Sequence, residues 1–128
     1  MKRLILIALF ALTTITLKAQ ELSFETPVHT ENNIRYELIE CTDFDTLILV
    51  QFLNGERVEQ EGYYRNGKTD GLWKMYSTYD NSNGVITSTM LFKMGKKVRL
   101  DLIKEGETIT IFYENNRPIK HMTVAYLD

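Results

Sequence analysis

From Ile34 onward, apolar and polar residues alternate. Ile34, Tyr36 and Leu38 alternate with Arg35 and Glu37; Val98, Leu100 and Leu102 alternate with Arg99 and Asp101. Ile109, Ile111 and Tyr113 alternate with Thr108, Thr110 and Phe112, and Met122, Val124 and Tyr126 close the chain. A period of two sends successive side chains to opposite faces, which marks a half-buried strand. Residues 47–52 form a β-rich apolar run, and beyond the N-terminal segment no stretch of ten residues offers a helical apolar face. The pattern predicts an all-β chain with eight strands near 34–41, 46–53, 57–64, 71–78, 85–92, 97–104, 107–113 and 119–126.

Turn residues punctuate these strands. Asn54-Gly55, Asn66-Gly67 and Asn83-Gly84 supply the positive φ angles of a type I′ hairpin, and Met94-Gly95, Glu105-Gly106 and Asn115-Asn116 occupy equivalent places. The second residues of these pairs lie 12, 17, 11, 11 and 10 apart, the long interval holding a polar insertion at 80–83. Gly71, at the start of the expected fourth strand, is grouped with the turn glycines Gly55, Gly67, Gly84, Gly95 and Gly106. Short reversals at this spacing build an antiparallel meander of β-hairpins in an open sheet. The alternative is a small up-and-down β-barrel holding an apolar ligand, which needs one continuously apolar inward face. Strands 71–78 and 85–92 are mixed on both faces, which favours the open sheet.

The turns share a phrase: a large apolar residue, two spacers, Gly or Asn, and then a charge, as in Phe52 to Glu56, Tyr64 to Lys68 and Phe92 to Lys96. The fullest unit runs from Gly62 to Tyr76. Its Tyr64, Asn66, Gly67, Lys68, Gly71, Trp73 and Tyr76 make it resemble the MORN-type repeat, and particularly the exported MORN-like proteins labelled YwqK-type antitoxins. The resemblance covers about residues 50–116, with one specific unit. It implies hairpins stacked into an elongated sheet that serves as an interaction surface and not as an enzyme.

The N-terminal segment changes the setting. Lys2 and Arg3, a short apolar run from Leu4 to Leu12 and a small residue at Ala19 have the layout of a secretory signal peptide over 1–20. Thr13, Thr14, Thr16 and Lys18 leave it too short for a membrane span. A polar leader is expected over 21–33 and the hairpin domain over 34–128. Formal charge is −2, from 15 Lys+Arg against 17 Asp+Glu. Removing Lys2, Arg3 and Lys18 leaves twelve bases against seventeen acids, a net of −5. Such a chain is repelled by nucleic acid and anionic lipid. The expected setting is periplasmic or extracellular, with no membrane anchor after cleavage and with a protein or glycan of the cell envelope as partner.

Candidate chemistry is sparse. Tyr63, Tyr64, Trp73, Tyr76 and Tyr79 form the densest aromatic group and are the candidate binding residues, because flat rings give contact area at low entropic cost. The competing reading packs them across strands as core. Cys41 is alone, so no internal disulfide forms, and a buried apolar role on a strand is favoured for it over a nucleophile. His29 and His121 lack companions at metal-ligand spacing. The acids Glu37, Glu40, Asp43, Asp45, Glu56, Glu59 and Glu61 read as solvated strand and turn positions, and loop 80–83 is too poor in carboxylates for calcium. Lys93, Lys96, Lys97 and Arg99 read as a solvated hairpin. No catalytic residue, metal or cofactor is expected.

Overall fold

The computed structural model describes residues 22–79 and 84–126. The signal segment expected over 1–20 and the 80–83 insertion lie outside the described residues. Among the described residues, nine strands form one antiparallel sheet in strict chain order. They are β1 (Val28–Glu31), β2 (Ile34–Cys41), β3 (Thr46–Asn54), β4 (Arg57–Arg65) and β5 (Lys68–Tyr76), then β6 (Ile86–Lys93), β7 (Lys96–Lys104), β8 (Glu107–Glu114) and β9 (Arg117–Ala125). The sheet is open, with β1 and β9 as its two edges, so it is not the closed barrel of the alternative reading.

Eight of the strands are those the alternation predicts. The ninth, β1, falls inside the stretch expected to be a polar leader, and Asn32-Asn33 turns it onto β2 with φ of 53° and 63°. Asn66-Gly67 and Asn115-Asn116 also place both turn residues at positive φ, as type I′ requires. At Asn54-Gly55 only Gly55 does so (φ 64°), and the loop closes over Gly55-Glu56 between the paired Asn54 and Arg57. Gly55, Gly67, Gly84, Gly95 and Gly106 all sit in connections between strands; Gly71 does not. Its φ of 75° belongs to a bulge within β5, which begins at Lys68 and not at 71. Tyr63 pairs with Asp70 but Glu61 with Lys74, so β5 carries two extra residues opposite Gly62.

Register assigns the two faces, because directly opposed residues share one. Tyr36 opposes Val50 and Val50 opposes Gly62; Leu38 opposes Ile48 and Ile48 opposes Tyr64. Trp73, Met90, Leu100 and Ile111 continue the same face across β5 to β8. This is the core face, where Val50, Tyr64 and Leu100 are fully buried and Leu22 joins from ahead of β1. The bulge in β5 swings Trp73 over Gly62, so close that a Cβ there would sit 2.0 Å from Trp73 Cδ2. Tyr64 meets the indole edge-on at 5.2 Å between centroids, with Phe92 at 6.2 Å and Phe52 at 6.4 Å. The indole N–H donates to the Tyr63 carbonyl at 3.2 Å, giving the buried ring its polar partner.

Candidate interaction surface

The opposite face is polar. Along one line perpendicular to the strands, register sets Arg35 beside Gln51, Gln51 beside Glu61 and Glu61 beside Lys74. The line continues through Thr89, Asp101 and Thr110. Seven consecutive strands thus contribute one polar side chain each, a row roughly 29 Å long at the usual spacing between strands.

Hydrogen bonds tie much of the row together. Arg35 donates to Gln51 Oε1 at 2.8 Å, and Gln51 Nε2 donates to Glu61 Oε2 at 2.8 Å. The Tyr76 hydroxyl donates to Glu61 Oε1. Farther along, Asp101 accepts from Thr89 (3.2 Å), Arg99 Nε (3.0 Å) and Thr110 (2.6 Å). Desolvation, together with the hydrogen bond to and the charge of Glu61, pushes the Tyr76 phenol up to about 12. Tyr64 is raised further by burial, so both rings stay protonated at neutral pH. The charges alternate in sign along the row, which makes the face polar without a strong net field.

A second line flanks the first. It carries Leu49 and Tyr63 in β3 and β4, then Leu72, Leu91, Arg99 and Phe112 in β5 to β8. Tyr63 is 37% exposed. At the end of the sheet holding the β2–β3 and β4–β5 turns, Arg65 bridges Asp45 and Asp70, and Asn66 Oδ1 accepts from the Thr46 N–H at 2.8 Å. These contacts lock neighbouring turns together.

The five candidate aromatics therefore do not form one surface. Tyr64 and Trp73 belong to the core face, both essentially inaccessible, while Tyr63 and Tyr76 stand on the polar face. Tyr79 is exposed beyond β5, where its carbonyl and that of Thr78 accept from Arg57. Cys41, expected to be buried, is exposed at the end of β2, with Sγ 3.8 Å from Thr46 Oγ1. It lies past the four-residue β1, which pairs with β2 only as far as Glu37. His29 lies beside Tyr36 and contacts Glu31, whereas His121 is on the exposed β9, opposite Ile111. Among the described residues, no three His, Cys, Asp or Glu side chains are grouped to hold a metal ion. No helix among them is long and apolar enough to cross a membrane.

Reading the sequence strand by strand misses the polar row. Aligning the chain on its turns does not recover it, because register shifts between Leu38 and Glu40, between Phe52 and Leu53 and between Glu61 and Tyr63 intervene before these residues meet. Comparison with protein-family models, with curated proteins and with solved structures finds no match for this chain.

Proposed function

We propose that this chain is an exported, MORN-like binding module without enzymatic activity, presenting its polar sheet face to a protein or glycan of the cell envelope. The observation that carries this reading is the row from Arg35 to Asp101, which ends against the buried Thr110, with the half-exposed Tyr63 and Phe112 beside it. Donors and acceptors that already hold one another need little ordering when a ligand arrives, which lowers the entropic cost of binding. Flat rings beside them supply apolar contact for a sugar face or a protein side chain. The turn spacing and the Trp73–Gly62 lock support the repeat reading, and the layout of residues 1–20 supports export.

The test is capture from envelope extract on immobilised protein. Tyr63→Ala is expected to weaken retention by about 2 kcal/mol, as truncation of an aromatic anchor does. Phe24→Ala, at a 73% exposed position off the sheet, is expected to leave retention unchanged. Equal retention by both variants contradicts the assignment to this face.

A further inference from the structure

The last strand stands apart from the rest of the sheet. All nine residues of β9 are exposed, whereas every strand from β2 to β8 buries at least one side chain. Its apolar residues face solvent: Ile119 is 56% exposed, Met122 50% and Val124 46%. One side pairs with β8 and the other is open. The Tyr126 N–H donates inward to the Gly106 carbonyl at 2.7 Å. Backbone groups alternate along a strand, so those of His121, Thr123 and Ala125 point outward and are available to another strand.

Charge says which strand fits. β9 begins with Arg117 and Lys120 and contains no carboxylate, while its far end lies beside the Glu105-Gly106 turn, with Ala125 opposite Glu107. A second β9 laid antiparallel brings each basic start to the other copy's acidic turn. We infer that β9 is a homodimer edge, joining two copies of this chain about a twofold axis at Thr123 into one continuous sheet. In that register Thr123 faces its own equivalent, and Met122 faces Val124 of the second copy. Lys120, whose Nζ lies 4.8 Å above the Phe112 ring, meets the second copy's Tyr126. No like charges oppose each other. The other edge suits this poorly, because β1 has four residues and ends in Glu31. The inference is independent of the binding role proposed for the polar face.

Two short edges make a small interface, so the association depends on concentration. Sedimentation equilibrium of the purified protein is expected to show mass rising from monomer to dimer below about 1 mM. Thr123→Lys sets like charges face to face and is expected to weaken the dimer at least about tenfold. In a Cys41→Ser background, Thr123→Cys is expected to crosslink under mild oxidation, because hydrogen-bonded antiparallel pairs have Cα atoms about 5.5 Å apart, within disulfide reach. Thr30→Cys on β1 is expected not to crosslink. Monomer at every concentration overturns the inference. So does a dimer that Thr123→Lys leaves intact, growth past the dimer, or crosslinking at Thr30→Cys but not at Thr123→Cys.

Discussion

Gly62 is needed because of Trp73. The bulge at Gly71 drops the indole onto the backbone of β4, and no larger side chain fits beneath it. Nothing local to Gly62 hints at this, because its partner is eleven residues away and reaches it only through the extra residues of β5. Gly62→Ala is expected to cost about 2–3 kcal/mol by overpacking, read from chemical denaturation. Trp73→Leu is expected to cost a similar amount, and the double variant much less than the sum, since one change relieves the other. Additive losses would separate the two residues. The same geometry explains why the aromatic cluster was only half legible. Alternation in β4 assigns Tyr63 and Tyr64 to opposite faces, but which face is core follows from Trp73, and that depends on the bulge.

At the scale of elements, the hairpins were legible because positive φ is chemically selective. Glycine and asparagine adopt it at little cost, so Asn66-Gly67 and Asn115-Asn116 mark their turns without any tertiary information. β1 escaped because four residues cannot display a period, and without a visible strand ahead of it Asn32-Asn33 does not read as a hairpin turn. Cys41 escaped because burial at a strand end depends on how far the neighbouring strand extends. The β6–β7 turn departs from the rule: Met94 holds φ 47°, and its N–H donates to Asp70 Oδ1 at 3.0 Å from the β5 side. A methionine in that conformation is strained. Met94→Asn is expected to raise stability by about 0.5–1 kcal/mol in thermal or chemical denaturation. Destabilisation would mean that the half-exposed methionine contributes packing that outweighs the backbone strain.

Taken whole, the molecule is one sheet with two unlike faces. One is occupied by the apolar and aromatic side chains that hold the strands together; the other carries a polar line across seven strands, hydrogen-bonded within β2–β4 and again within β6–β8, beside a second line with rings. The meander and eight of its strands could be read from the sequence, because they depend on local turns and a period of two. The polar row could not, because it exists only once register places residues between 9 and 16 apart side by side. Function, on this account, belongs to the outer surface of the sheet. The most direct measurement is an NMR titration of the labelled protein with the partner captured from envelope extract. The account predicts amide and side-chain shifts at alternate positions, among them Arg35, Gln51, Glu61, Tyr63, Lys74 and Tyr76, with the intervening core-face residues Tyr36, Val50 and Trp73 little moved. Shifts confined to the turns, or centred on the core face, would contradict it.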